Sequence, residues 1–294
     1  MRVLITGCHG QVGTCLTEQL NHNENTTVLA LDREDLDITN QNSVNAVVSE
    51  FQPTIIINAA AHTAVDKAEE DVELSYAINR DGPKYLAQAA QTIGAAILHI
   101  STDYVFEGNK NGEYVESDAT NPQGVYGESK LAGEMAVAKA CDQHIILRTA
   151  WVFGENGNNF VKTMLRLGQT RDALSIVGDQ FGGPTYAGDI ANTLIQIAKR
   201  ITQGSEIEYG VYHYSGLPHV SWFDFADAIF DVAVQQKLLD SKPTLTSITT
   251  EQYPTPAKRP SNSRLSNEKV MANFSIEASD WQAALNNIQA FTGQ

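Results

Sequence analysis

The sequence predicts a doubly wound α/β fold, in which helices cover both faces of a parallel sheet and a smaller lobe is interleaved with it. Three observations carry that prediction. The first half alternates short apolar runs with amphipathic stretches. Those runs are near-continuous β-branched and Leu/Ile segments, the pattern of strands buried on both faces. A glycine-rich turn, Gly7-Cys8-His9-Gly10-Gln11-Val12-Gly13, stands between the first such run and the first amphipathic stretch, as the βα turn of such a fold requires.

In chain order, residues 3–6 read as a buried strand, 11–20 as a helix, and 27–31 as a second strand that closes at Asp32. A helix over 43–51, a strand over 54–58 and one long helix over 75–92 follow. Then come a strand over 96–101, a helix over 127–140 and a strand over 144–149. After Trp151 the rhythm changes, because Asn, Gly and aromatic residues interrupt shorter elements and residues 242–264 are rich in proline. The expected division is therefore a main domain over 1–150 and a smaller lobe over 151–294, with segments of the lobe returning to the main sheet.

Composition excludes several classes of partner. The chain has 294 residues, 42% hydrophobic and 19% charged, with a formal net charge of -15. A field of that sign opposes phosphate backbones and anionic lipid, so neither nucleic acid nor membrane is expected. Three cysteines without CxxC or metal-type spacing suit a reducing compartment. No run reaches the roughly 18 apolar residues of a membrane span, and the N-terminus enters a strand pattern at once; the expected location is cytoplasmic.

The glycines permit a tight turn, close backbone approach to a pyrophosphate and tight helix–strand packing, while the helix N-terminus offers free N–H groups to the anion. The spacing, Gly-x-x-Gly-x-x-Gly, gains meaning from its place after an N-terminal strand and from Asp32, which ends the next strand about 20 residues on. Residues 1–150 thus read as a dinucleotide-binding domain of the Rossmann type. Gly7, Gly10 and Gly13 shape its turn, and Asp32 is placed for the adenosine ribose hydroxyls, which favours NAD. Arg33 follows directly and could face a 2′-phosphate, so NADPH and NADH both stay open.

Tyr126-Gly127-Glu128-Ser129-Lys130 puts a phenol and an ammonium four residues apart, on one face of a helix. A phenol has a reference pKa of about 10, and a nearby cation is expected to bring it down. Tyr126 can then give a proton to a carbonyl oxygen as hydride arrives at its carbon. Ser101-Thr102-Asp103-Tyr104 closes a strand 24 residues before Tyr126, and the C-terminal strand edge faces the cofactor crevice in a parallel sheet. A hydroxyl there could bond the substrate oxygen and tune the proton transfer.

Thr6–Gly13, Asn58-Ala59-Ala60-Ala61, Ser101-Thr102-Asp103-Tyr104 and Tyr126-x-x-x-Lys130 together resemble the extended short-chain dehydrogenase/reductases. Longer segments resemble the dTDP-4-dehydrorhamnose reductase family within that group: residues 58–69, 101–106, 148–152, 158–164 and 253–265, which span nearly the whole chain. The resemblance implies reduction of the C4 carbonyl of dTDP-4-dehydro-L-rhamnose by NADPH or NADH. It implies Tyr126 as proton donor, Lys130 as its partner and Thr102 as the tuning hydroxyl. By the same resemblance Gly10, Gln11 and Val12 contact the pyrophosphate, Asp37 and Ile38 lie near the adenine, and Ala61, His62 and Thr63 follow the cofactor further. Tyr126 and Lys130 also touch the dinucleotide, and Thr102, Asp103 and Trp151 touch the sugar nucleotide.

Lys162, Arg166, Lys258, Arg259 and Arg264 are candidates for the substrate diphosphate, with Arg259 and Arg264 inside the matching proline-rich segment. Some members of the family join as dimers through magnesium held by glutamates, one just after the glycine turn. The matching stretch here is Thr14-Cys15, without a carboxylate, and Glu18 and Asp189 are the nearest acids to the expected positions. The sequence therefore argues against bound magnesium, and a monomer or homodimer is expected. Two rival functions share the scaffold. An epimerase or dehydratase is one, although dehydratases of this group usually follow the threonine with Asp-Glu where this chain has Asp103-Tyr104. The other is a non-catalytic, NADP-binding regulatory subunit, against which the intact Thr102, Tyr126 and Lys130 argue.

Overall fold

The computed structural model describes residues 1–22 and 25–292. Its main sheet contains β1 (Arg2–Thr6), β2 (Thr27–Leu31), β3 (Ile55–Asn58), β4 (Ala96–Thr102), β5 (His144–Thr149) and β6 (Gly210–His213). Across the sheet the order is β6-β5-β4-β3-β1-β2, and every pair is parallel. The chain grows one way from β1 to β2 and the other way from β1 to β3. That reversal leaves a crevice at the carboxyl ends of β1 and β3, where ligands bind in open α/β sheets.

Continuous apolar runs cover both faces because side chains alternate along a strand. Val3, Ile5 and Ile57 pack with Leu16 from the helix Gln11–Asn21 and with Ile190 and Leu194 from the helix Ala187–Thr202. Leu4, Ile56 and Ile97 pack on the other side with Val44, Val48, Leu86 and Ala87. Full burial of each such side chain contributes roughly 1.5–3 kcal/mol. A polar rung crosses this apolar sheet near its carboxyl edge. The Thr6 hydroxyl donates to Asn58 Oδ1 (2.7 Å), and Asn58 Nδ2 reaches His99 Nδ1 (2.9 Å). Asn58 Oδ1 also accepts the Ala60 N–H (3.1 Å), which fixes the loop that leaves β3.

The single helix expected over 75–92 is broken. A short helix Val72–Tyr76 runs into a π turn, Ala77–Asp81, before the helix Gly82–Ile93. Pro83 has no N–H to give the carbonyl four residues back, that of Asn79, so the ladder widens there.

The second half of the chain builds its own apolar cluster, in which Phe153, Phe225, Phe230 and Trp281 are fully buried. The helices Phe160–Gly168 and Trp222–Gln235 and a parallel pair of strands, Ala173–Val177 with Thr244–Ile248, surround it. Strand β6 belongs to this half by sequence, yet it lies in the main sheet beside β5. Among the described residues no helix is long and apolar enough to cross a membrane.

Candidate active site

The glycine turn is a backbone cradle. Gly7 has φ +73°, and a Cβ there would lie 2.6 Å from Ala60 N; a Cβ on Gly13 would overlap the Gly7 carbonyl. Only glycine allows β1, the turn and the following helix to approach so closely. The helix starts at Gly10 with no side-chain cap and no acidic residue in its first turn. Its first N–H groups therefore stay available to an anion. That cradle, with its uncapped N–H groups, fits a dinucleotide pyrophosphate.

Gly10, Gln11 and Val12 form one wall of a cavity of about 580 Å³. Ala61 and Thr63 form another, and Thr102, Asp103, Tyr126, Lys130 and Trp151 complete it. The hydroxyl, phenol and ammonium singled out from sequence thus share one chamber with the glycine turn. Tyr126 and Lys130 lie on one face of the helix Val125–Ala140, and Thr102 ends β4 opposite them.

The electrostatics differ from the expectation for Tyr126. Burial pushes its phenol up to about 12, opposed by a hydrogen bond to Thr102 and reinforced by the Asp103 charge. The ammonium that was expected to lower it is engaged elsewhere, because Lys130 Nζ donates to the Ile100 carbonyl (2.7 Å). Burial pushes Lys130 itself down to about 8, with Glu134 opposing. The phenol therefore keeps its proton at neutral pH, which is the state a proton donor needs. Burial also pushes Asp103 up to about 6, although the hydroxyls of Ser263 and Thr102 and backbone donors oppose this. Its Oδ1 accepts the Thr102 hydroxyl (3.1 Å), while its Oδ2 has no partner.

A second cavity of about 670 Å³ meets the first at Tyr104 and Trp151. Its lining includes the charged pair Asp66 and Arg259 and the apolar Met164, Leu174, Ile176 and Trp222. Trp151 stacks on Trp222 at 3.5 Å between centroids and 12° between planes. Tyr104 meets Tyr126 edge-on, 5.4 Å away. Arg259 Nη2 pairs with Asp66 Oδ2 (2.6 Å), which joins the proline-rich segment to the main domain.

Other predicted residues lie outside both chambers. Asp32 has both oxygens engaged, Oδ1 by the N–H groups of Glu34 (2.8 Å) and Asp35 (3.1 Å), and Oδ2 by His9 (3.0 Å). Arg33 is exposed on the same loop. Asp37 accepts the N–H and hydroxyl of Thr39, whose bonds hold its carboxyl below the usual range. Ile38 is buried in the core, close against Gly82. His62 anchors its loop, with its ring on Ser75 (2.9 Å) and its N–H on Asn79 (2.8 Å). Arg264 turns back on Asn262 (2.7 Å), and Lys258 reaches Gln123 (3.2 Å).

The sequence reading gave no role to Tyr104, Asn79, Glu134 or Trp222. Asn79 also donates to the Ser129 hydroxyl (3.0 Å), which bonds the Tyr126 carbonyl, so it links the loop at His62 to the helix at Tyr126. Glu134 makes a buried bidentate pair with Arg148 (2.9 and 2.7 Å) one turn beyond Lys130. Helical spacing after Lys130 was a usable signal for Glu134. For Trp222 there was none, since only the fold brings it to Trp151. Among the described residues no group of three or more His, Cys, Asp or Glu side chains is placed to hold a metal ion. Cys15 is buried, and Asp189 accepts the Ser279 hydroxyl (2.6 Å).

Residues 1–292 match the family model described as the RmlD substrate binding domain. The chain is 54% identical over 290 residues to a dTDP-4-dehydrorhamnose reductase of Aggregatibacter actinomycetemcomitans, with 99% of each chain covered. It is 41% identical to the enzyme of that name from Escherichia coli K12, over 98% of this chain and 97% of that one. Among solved structures, a dTDP-4-dehydrorhamnose reductase of Bacillus anthracis in complex with NADP superposes with a TM-score of 0.90 at 39% identity, covering 97% of each chain. A UDP-glucose 4-epimerase of Thermus thermophilus, at 20% identity and a TM-score of 0.79, shares the fold. With a family model matched over almost its full length and relatives this similar, the chain belongs to the dTDP-4-dehydrorhamnose reductase family.

Proposed function

We propose that this chain reduces the C4 carbonyl of dTDP-4-dehydro-L-rhamnose to give dTDP-L-rhamnose, with NADPH or NADH held in the 580 Å³ chamber. The observation that carries the reading is the meeting of Thr102, Tyr126 and Lys130 with Gly10–Val12 in that one chamber, which shares Tyr104 and Trp151 with a second. Gly10, Gln11 and Val12 would hold the pyrophosphate on their N–H groups, and Lys130 would hold the nicotinamide ribose. When bound, the dinucleotide supplies the hydride that reduces the carbonyl carbon.

The chain's own residues do the rest. Tyr126, protonated at neutral pH, gives its phenolic proton to the carbonyl oxygen as the C=O bond becomes CH–OH. Thr102, turning its hydroxyl proton from Asp103 Oδ1, donates to the same oxygen and orients it. As the phenolate forms, the Lys130 ammonium turns from the Ile100 carbonyl and stabilises it. Asp103 Oδ2, an unpartnered acceptor on the wall of the chamber, takes a sugar hydroxyl. Arg259 is the cation on the wall of the second cavity and takes the diphosphate, with the base against the apolar side chains of the same lining. Simple reduction is favoured over elimination because Tyr104, not a second acid, follows Asp103.

The test follows NADPH and NADH oxidation with dTDP-4-dehydro-L-rhamnose and its UDP analogue. Turnover of the dTDP sugar is expected, and no turnover with either dinucleotide would sink the assignment. Tyr126→Phe should lower kcat by roughly 10²–10⁴-fold and leave dinucleotide affinity almost unchanged. A fully active variant would remove Tyr126 from the chemistry.

A further inference from the structure

Between the strand Val152–Phe153 and the helix Phe160–Gly168 the chain passes from one chamber to the other as a short strap, residues 154–159. Gly157 and Asn158 of the strap line the 580 Å³ chamber, and Phe160, Thr163 and Met164 of the helix line the 670 Å³ one. Side chains hold the strap at both ends. Glu155 accepts the Tyr186 hydroxyl (2.6 Å) at the first, and Asn159 closes the second. Its Nδ2 donates to Gln11 Oε1 (3.1 Å) and to the Gly154 carbonyl (2.7 Å). Its Oδ1 accepts the Lys162 N–H (3.1 Å) and so caps the helix. Gln11 is the first residue of the helix that opens on the glycine turn. A Cβ on Gly157 would stand 3.1 Å from Gln11 Cγ, so the strap lies directly on that side chain. One amide thus ties together the glycine turn, the start of the strap and the helix that lines the second cavity.

We propose that Asn159 is a positioning residue through which the dinucleotide and the sugar nucleotide tighten each other's binding. The inference rests on the reading of the two chambers given above. A dinucleotide on the glycine turn covers Gly157 and Asn158, which are otherwise exposed, and fixes the strap from its chamber side. Asn159 carries that ordering into the first turn of the helix Phe160–Gly168, the turn that bears Phe160 and Thr163. The second ligand then meets a wall that is already set, because the cost of ordering it has fallen on the first. Linkage makes the effect reciprocal, so the sugar nucleotide holds the strap over the dinucleotide by the same factor.

The probes are NADPH and dTDP. Their dissociation constants are measured by fluorescence titration and calorimetry, each alone and with the other saturating, and thermal melts check the fold. dTDP carries no sugar to touch the nicotinamide, so coupling between the two must pass through the protein. In the native chain each should tighten the other by the same factor, about tenfold. Asn159→Ser keeps a capping hydroxyl but cannot reach Gln11. The factor should fall to about one, while each ligand alone still binds. Gln11→Met cuts the tie from the other end, which keeps the proposal testable should Asn159→Ser unsettle its helix. It should give the same loss, and the double variant no further loss. Coupling that survives in either folded variant overturns the proposal, as does a native chain that binds both ligands independently, and both results leave the reductase reading standing. A native chain that fails to bind either ligand overturns the reading of the chambers and the proposal with it.

Discussion

At the scale of single residues, burial sets the charge states of the site. Tyr126 is held protonated by a pKa raised to about 12, Lys130 is lowered to about 8 and Asp103 is raised to about 6. The sign of each shift gives a pH window. The Lys130 ammonium is complete below 8 and is lost as pH rises through that value, and the Asp103 carboxylate is complete above 6 and is lost as pH falls through it. In the free enzyme kcat/KM should therefore be bell-shaped, with limbs near 6 and 8. Lys130→Met should remove the alkaline limb and Asp103→Asn the acid one, each at a reduced plateau. An alkaline limb that survives in Lys130→Met would assign it to another group.

At the scale of elements, the helix Val125–Ala140 carries both the chemistry and its support. Tyr126, Lys130 and Glu134 occupy successive turns of one face, and Glu134 is locked to Arg148 of β5 with side chains 4% and 5% exposed. Breaking a buried pair by removing one partner leaves an uncompensated charge and costs about 3–5 kcal/mol. Glu134→Gln should lose most of that in chemical denaturation and lower the alkaline limb, because Glu134 opposes the downward shift of Lys130. Glu134→Gln with Arg148→Met should recover most of the stability but not the position of the limb. Recovery of both would show that Glu134 acts on the fold alone. The helix itself was readable from spacing. The Asn79 π turn that braces it was not read, although Pro83, inside the helix expected over 75–92, was a usable signal for a break there.

At the scale of the molecule, the two halves of the chain meet at the site. Arg259 pairs with Asp66 across them, and Ala257 N–H bonds the same carboxylate (3.1 Å). A diphosphate would compete with Asp66 for this guanidinium. Arg259→Ala should raise KM for the dTDP sugar by about 10–100-fold, the worth of a charge-assisted pair, with the dinucleotide constants unmoved. A change confined to dinucleotide binding would put the arginine on the other ligand. Among the five basic residues named as candidates for the diphosphate, only Arg259 lines the second cavity. Sequence spacing did not separate it from Arg264, because a two-residue turn back onto Asn262 is a tertiary outcome.

What the sequence determined by itself was local: strands buried on both faces, glycines where a Cβ has no room, a phenol and an ammonium one helical turn apart, and a hydroxyl at a strand end. These follow from periodicity and from steric rules that act over a few residues. Only the tertiary structure decided the charge state of Tyr126, the capture of Asp32 by His9, the stacking of Trp151 on Trp222 and the choice of arginine. Each depends on desolvation or on contacts between segments far apart in the chain, and neither is written in the spacing of neighbours.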